Sequence, residues 1–347
     1  MEFQIVNPSE CLSTKLTRGK IITCKAAVAW TPGTSLTIED VEVECPQKME
    51  IRVKILYTSI CHTDLTSWLG ENEAQQAYPR IFGHEASGVI ESVGEGVEDL
   101  KEGDHVIPVF HGECGSCAYC QSDKTNQCEK YRVNPMKSTM FGDGKTRFSI
   151  KGVGAVWNDA NVKEGETIAV FGLGAIGLAV IQGARIRHAA RIIGIDINRD
   201  KIEIGREMGM TDFVNPKELD KPVHEVINGM VKGGVDYSFE CVGNLDVLRQ
   251  AFLSTRDGWG VTVMIGIHTS PRLLPFHPME LFNGRRIVGS VFGGIKCKTH
   301  IPSIVKKYID GTLKLDAFIT HELPFDEINQ AFKLLEEGKS LRCLLHF

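Results

Sequence analysis

Four cysteines, Cys114, Cys117, Cys120 and Cys128, fall within a span of fifteen residues, and they restrict the folds open to this chain more than any other feature. A C-x2-C-x2-C-x7-C loop is short enough to wrap its four thiolates around one tetrahedral Zn2+. Four sulfurs leave no open coordination position, so such a site is structural and does no chemistry. It would stiffen a segment, about 111–130, that has little apolar content of its own. An iron–sulfur cluster, whose usual spacings differ, and chance clustering are the competing readings. The chain has eleven cysteines, an odd number, and its start, MEFQIVNPSECLSTKLTRGK, has no continuous apolar stretch. Both facts argue against a disulfide scaffold and for a reducing compartment, most simply the cytoplasm.

At 347 residues the chain has room for two domains at about 150 residues each. Lys and Arg number 39 against 44 Asp and Glu, a net charge of −5, with no basic stripe. A nucleic-acid partner is therefore not expected. No run of 18 apolar residues suggests a membrane span, and no repeat suggests a solenoid.

Up to about residue 145 the pattern is one of short strands and turns. β-Branched runs at 21–30, 51–58 and 88–93 are separated by Thr31-Pro32-Gly33, Gly94-Glu95-Gly96 and Glu102-Gly103-Asp104, which predicts a small barrel or sandwich. The texture changes near Glu164-Gly165. A buried-strand run at 167–172, a helix over 175–190 and a strand at 191–196 are followed by strand runs at 235–241, 260–267 and 287–292. This alternation predicts a doubly wound parallel sheet. The tail holds a helical segment, 326–337, and a final strand that could return to the first domain.

Gly172-Leu173-Gly174-Ala175-Ile176-Gly177 fits G-x-G-x-x-G between a predicted strand and a predicted helix. Gly172 would allow the tight turn, Gly174 would let backbone N–H groups approach a pyrophosphate, and Gly177 would let the helix pack close to the sheet. Asp196 ends the next strand, nineteen residues after Gly177. A carboxylate there favours NAD over NADP, since it binds a free ribose hydroxyl and repels a 2′-phosphate. The alternative is a glycine-rich structural turn with a surface acid.

Two further segments, Cys61-His62-Thr63-Asp64 and Gly83-His84-Glu85, carry metal-ligand types beside apolar runs. Cys61 and His84 would supply a sulfur and a nitrogen to a second zinc, with a carboxylate such as Asp64 orienting the histidine. On spacing alone, a buried structural thiol and a satisfied turn histidine stand equally open.

The chain resembles the zinc-dependent medium-chain alcohol dehydrogenases, closest to the plant alcohol dehydrogenase-like members, from about Lys20 to Phe347. The resemblance rests on Ser59-Ile60-Cys61-His62-Thr63-Asp64, Phe82-Gly83-His84-Glu85-Ala86-Ser87-Gly88, the four-cysteine loop and 171–177. Phe325-Asp326-Glu327-Ile328-Asn329 and Ser340-Leu341-Arg342-Cys343 add to it. It implies an α/β protein with a doubly wound Rossmann domain, 161–305, that binds NAD. A GroES-like β-rich catalytic domain would span 1–160 and be completed by 306–347. It implies that Cys61 and His84 bind a catalytic zinc, with Glu85 behind it as an occasional ligand and Asp64 supporting His84. Thr63 would relay the alcohol proton and His62 would face the pyrophosphate. Gly172 to Gly177 (with Leu173, Ala175 and Ile176), Asp196 and Lys201 would hold the adenosine half of the cofactor. Cys241, Ile265 and Phe292 would lie along it, and Arg342 would reach its pyrophosphate. Phe110, Ile267 and Val291 would line the substrate pocket, Val291 being approached from a neighbouring subunit of a homodimer. The substrate would be a small alcohol or aldehyde.

Two positions depart from that pattern. Thr66 stands where some members carry a histidine ending the proton relay. After Gly152 the chain passes directly to Val153-Gly154-Ala155-Val156-Trp157-Asn158, skipping about forty residues, enough for several elements. The skipped stretch includes the cysteine that supplies the third catalytic ligand, and no cysteine lies between Cys128 and Cys241. Besides a working NAD-dependent dehydrogenase, this leaves two alternatives. One is a catalytically impaired shortened form that keeps the structural zinc; the other, suggested by Arg132, is a dehydrogenase of glutathione adducts.

Overall fold

The computed structural model describes residues 19–71, 78–131, 160–268 and 272–347. The joint after Gly152 and Arg132 lie outside them. Among the described residues, contacts divide the chain into two units: 19–110 with 314–347, and 111–131 with 160–313.

The first unit begins with β1 (Ile22–Ala29), β2 (Thr37–Val43) and β3 (Ile51–Ile60), then α1 (His62–Leu69), β4 (Arg80–Ile81), β5 (Glu85–Val93) and β6 (His105–Val106). The second holds α2 (Ala118–Gln121), β7 (Thr167–Phe171), α3 (Ala175–Ile186), β8 (Arg191–Ile195), α4 (Lys201–Met208) and β9 (Asp212–Val214). It continues through α5 (Val223–Met230), β10 (Tyr237–Glu240), α6 (Leu245–Leu253), β11 (Val261–Met264), α7 (Pro278–Phe282), β12 (Arg286–Gly289) and α8 (Cys297–Ile309). The tail adds β13 (Ile319–Pro324), α9 (Ile328–Glu336) and β14 (Arg342–His346).

In the first unit the strands form two sheets, β2-β1-β4 and β13-β14-β3-β5-β6. The tail does return: β14 pairs antiparallel with β3, setting Cys343 opposite Ile60 and Leu345 opposite Thr58. Helix α9 explains why. Ile328, Ala331, Phe332 and Leu335 recur at helical spacing, so one face is apolar and must be covered. That face packs with Ile60, Leu65, Cys343 and Leu345, and Phe332 meets the Trp68 ring at 5.5 Å. Arg52 of β3 and Glu91 of β5 form a buried ion pair at 2.5 Å.

The second unit is built on a six-stranded, wholly parallel sheet of order β12-β11-β10-β7-β8-β9. Ile168, Ala169, Val170 and Phe171 are all at most 2% exposed, as a strand covered on both faces requires. The order reverses beside β7, so the crevice at the carboxyl ends of β7 and β10 is a topological switch point, where doubly wound sheets bind ligands. Several predicted boundaries shift, among them the strand runs 88–93 and 260–267, which are Glu85–Val93 and Val261–Met264. The helix expected to reach 190 ends at Ile186, because His188 turns left-handed at φ 57° and folds its N–H back onto Arg185. The strand expected to reach 292 ends at Gly289, opposite Met264 where its partner β11 also ends, and the chain then turns left-handed at Phe292.

Candidate functional site

Cys61 caps the N-terminus of α1, and its own N–H donates to Asp64 Oδ2 at 2.9 Å, closing a capping box. The same carboxylate turns its other oxygen to His84: Nδ1–H donates to Asp64 Oδ1 at 3.1 Å. His84 arrives from the β4–β5 turn, where Gly83 has φ +131°. Its ring is buried, yet among the described residues Nε2 has no hydrogen-bond partner. A carboxylate fixing one ring nitrogen while the other stays bare is the arrangement that prepares a histidine for a metal.

The bare nitrogen faces a ligand set. One ligand atom each from Cys61, His84 and Glu85 lie within 4.8 Å of one another. Glu85 Oε1 is 3.9 Å from His84 Nε2, and Arg342 orients the carboxylate through contacts of 3.2 and 3.3 Å. Burial lowers the His84 pKa, but hydrogen bonds and charges from Asp64 and Cys61 outweigh it and push it up to about 10. Without a metal, a proton does the work a cation would do there. One sulfur, one imidazole and one carboxylate suit zinc and leave a fourth position open, as a catalytic site requires. Thr63 Oγ1 lies 3.9 Å from Cys61 Sγ on the first turn of α1, and His62 beside it is exposed. The Thr66 hydroxyl is spent on the His62 carbonyl at 2.9 Å.

In the second unit the sulfurs of Cys114, Cys117, Cys120 and Cys128 also lie within 4.8 Å of one another, those of Cys114 and Cys120 3.8 Å apart. A zinc–sulfur tetrahedron with bonds of about 2.3 Å has edges of just this length. Backbone N–H groups of Ser116, Cys117, Cys120 and Tyr131 point at the sulfurs from 3.3 to 3.5 Å. The Ser116 N–H leads the effects that lower the Cys114 pKa to about 6, while burial pushes Cys120 up to about 12. Four thiols this close cannot all ionise without a cation among them, and a zinc ion fits the set.

The glycine motif bridges β7 and α3. Gly172 takes φ +90°, which favours glycine, and a Cβ on Gly177 would sit 1.8 Å from the Gly172 carbonyl oxygen. Among the described residues a Cβ on Gly174 would meet nothing within 4 Å, which leaves them clear of the approach to the α3 N-terminus. Asp196 follows β8 and accepts from the N–H groups of Leu173 at 2.6 Å and Asn198 at 2.8 Å, placing the acid against the glycine loop. Ala175 and Ile176 open α3, and Lys201 opens α4. Cys241 follows β10, and burial with Glu240 beside it raises its thiol pKa well above the ordinary value, so it offers an apolar wall. Ile265 is buried after β11, while Ile267 and Val291 are exposed and Phe292 and Phe110 are half-buried.

Some residues that shape these edges escaped the sequence reading. Glu240 is fully buried, accepts from the Val242 and Gly243 N–H groups at 2.8 and 2.7 Å, and meets His268 Nε2 at 3.1 Å. An acid closing an apolar strand directly before Cys241-Val242-Gly243 was the available signal. Arg342 was expected at a pyrophosphate; its partner here is Glu85.

The chain is similar to known proteins over nearly all of its length. Residues 47–170 match the alcohol dehydrogenase GroES-like domain, and residues 175–307 match the zinc-binding dehydrogenase family. Alcohol dehydrogenase-like 4 of Arabidopsis thaliana is 53% identical over 377 residues, covering 95% of this chain and 99% of that one. The alignment is longer than the chain's own 347 residues, so the relative carries residues this chain lacks. Alcohol dehydrogenase 2 of Oryza sativa subsp. japonica is 45% identical over 374 residues, covering 95% and 98%. Among solved structures, an alcohol dehydrogenase zinc-binding domain protein from Burkholderia ambifaria superposes with a TM-score of 0.82 at 28% identity, over 94% of this chain and 100% of that one. A bare histidine nitrogen beside Cys61 and Glu85, a four-sulfur cluster and a glycine loop on a parallel sheet thus occur in a chain that belongs to the zinc-dependent alcohol dehydrogenase family.

Proposed function

We propose that this oxidoreductase oxidises a primary or secondary alcohol to the aldehyde or ketone with NAD, using Cys61, His84 and Glu85 to hold its catalytic zinc. The observation that carries the reading is the buried, unpartnered His84 Nε2 facing Cys61 and Glu85. Glu85 takes the place of the cysteine that the family supplies from the stretch missing after Gly152. Zinc there would polarise the alcohol oxygen and the bound nicotinamide would accept the hydride.

The chain's own residues do the rest. Asp64 fixes the His84 ring so that Nε2 points at the ligand set. Thr63 takes the alcohol's proton as it passes its own onward, and His62 faces the cofactor's pyrophosphate. Arg342 holds the Glu85 carboxylate in place and is the proposed second contact to that pyrophosphate. The glycine loop 172–177 admits the phosphates, and Asp196 with Lys201 takes the adenosine ribose, which selects NAD over NADP. Cys241, Ile265 and Phe292 flank the cofactor, while Phe110, Ile267 and Val291 contact the alcohol. In this reading 1–160 with 306–347 form the catalytic domain and 161–305 the NAD domain, in a cytoplasmic homodimer. No helix among the described residues is long and apolar enough to cross a membrane.

Zinc content and turnover test the proposal together. Zinc-loaded protein should hold two zinc ions per chain and form NADH from a short alcohol with saturating dependence on its concentration. One zinc per chain with no NADH formed would overturn it in favour of the impaired shortened form.

A further inference from the structure

The chain turns left-handed three times in succession just past β12: Phe292 at φ 50°, Gly293 at 60° and Gly294 at 63°. Two glycines adopt this without cost, but Phe292 carries a bulky side chain and must be held there. The turn leaves the carboxyl end of β12, the same edge of the parallel sheet as the glycine loop, the Cys241 turn and Ile265.

What holds it comes from the cysteine loop. Asn126 is buried, and its Nδ2 donates to the carbonyls of Val291 at 2.8 Å and Ile295 at 3.2 Å, spanning the turn from both sides. His111 is also buried; its Nε2–H donates to the Asn126 carbonyl at 2.8 Å, and its ring stacks on Phe292 with centroids 6.3 Å apart. Lys296, one residue beyond Ile295, donates to the carbonyls of Cys120 and Ser122 at 2.7 and 2.5 Å. A four-sulfur zinc site does no chemistry, yet here its loop is fastened to the turn that bears Val291 and Phe292.

We propose that Asn126 and His111 are positioning residues for the cofactor: through them the metal loop holds 291–295 in the shape that presents Phe292 to the nicotinamide end of NAD and Val291 to the alcohol beside it. This rests on the reading of those two residues as cofactor-facing and substrate-facing. The structural zinc then acts on the reaction at a distance, by fixing the loop from which Asn126 reaches.

The test compares two ligands on the full-length, zinc-loaded protein by calorimetric titration. NAD spans the whole site, whereas ADP-ribose lacks the nicotinamide and relies on the glycine loop and Asp196. Asn126→Ala removes both bonds to the turn, so the Kd for NAD should rise about tenfold while that for ADP-ribose stays within about twofold. His111→Phe keeps a stacked ring but loses the bond to Asn126, and should give a smaller rise, again for NAD alone. Asn126→Asp sets carboxylate oxygens against two carbonyls and should weaken NAD at least as much as the alanine. If Asn126→Ala does not fold, the other two variants decide. Equal effects on both ligands, or no effect on NAD, would overturn the proposal. Wild-type protein that binds neither ligand would instead overturn the NAD reading beneath it.

Discussion

His84 is fixed at one nitrogen and bare at the other, and its chemistry follows from that asymmetry. Asp64 serves two ends at once, capping Cys61 and gripping the imidazole. Asp64→Ala should therefore weaken zinc at this centre about 10- to 100-fold. Competition with a chromophoric chelator would show it, while the zinc at Cys114, Cys117, Cys120 and Cys128 stays bound. Protons compete for the same nitrogen. In metal-free protein the His84 pKa of about 10 lies above its ordinary 6.5, so the proton's contribution to stability is complete below about pH 6.5 and is lost as pH rises through about 10. Zinc must displace that proton. Its affinity should climb by about tenfold or more per pH unit between pH 7 and 9, since Cys61 must also bind as a thiolate, and chelator competition at several pH values would measure it. A flat profile would mean that His84 is not a ligand.

Elements convert these residues into fixed geometry. The glycine loop separates two roles that the motif alone runs together. In Gly177→Ala a Cβ meets the Gly172 carbonyl at 1.8 Å, so the β7–α3 turn must shift, and both the melting temperature and the affinity for NAD should fall. In Gly174→Ala nothing is struck among the described residues. That variant should melt within about 2 °C of wild type, yet bind NAD about tenfold more weakly because its methyl occupies the approach to the phosphates. Paired melting curves and NAD titrations would separate the two. Helix α9 closes the first unit through Phe332, which is 2% exposed among Trp68, Phe82 and the β14 side chains. Phe332→Ala should cost about 3–5 kcal/mol, read from urea unfolding, because the cavity opens where β14 is held against β3.

For the molecule as a whole, the two metal sets predict two kinds of zinc. Three ligands of mixed type should release their ion to a chelator readily, whereas four sulfurs braced by N–H groups should keep theirs until a mercurial blocks the thiols. Elemental analysis after each treatment should give two, then one, then no zinc per chain. Loss of the second ion should lower the melting temperature, since metal binding to a loop of little apolar content is part of its folding energy. A single-step release of both ions would mean that the two sites are not distinct in strength.

Motif chemistry was legible in the sequence wherever its partners lie close along the chain. The C-x2-C-x2-C-x7-C loop, the strand–glycine–helix unit and Asp196 are local, and spacing alone implied four sulfurs around one ion and a phosphate site at a helix end. The parallel sheet followed from the alternation of apolar runs with amphipathic ones. Element ends were less legible, because the left-handed residues at His188 and Phe292 are not glycines and carry no signature. What only the tertiary structure decided are the meetings across long stretches of chain. Arg342 grips the Glu85 carboxylate from 257 residues away, and Asn126 reaches the Val291 carbonyl from 165 residues away. Periodicity reports which face of an element is buried, but not which distant side chain will share the burial. That partner is chosen when the apolar faces of β3, β14 and α9 close on one another, and the polar groups carried along with them must then pair or bind a metal.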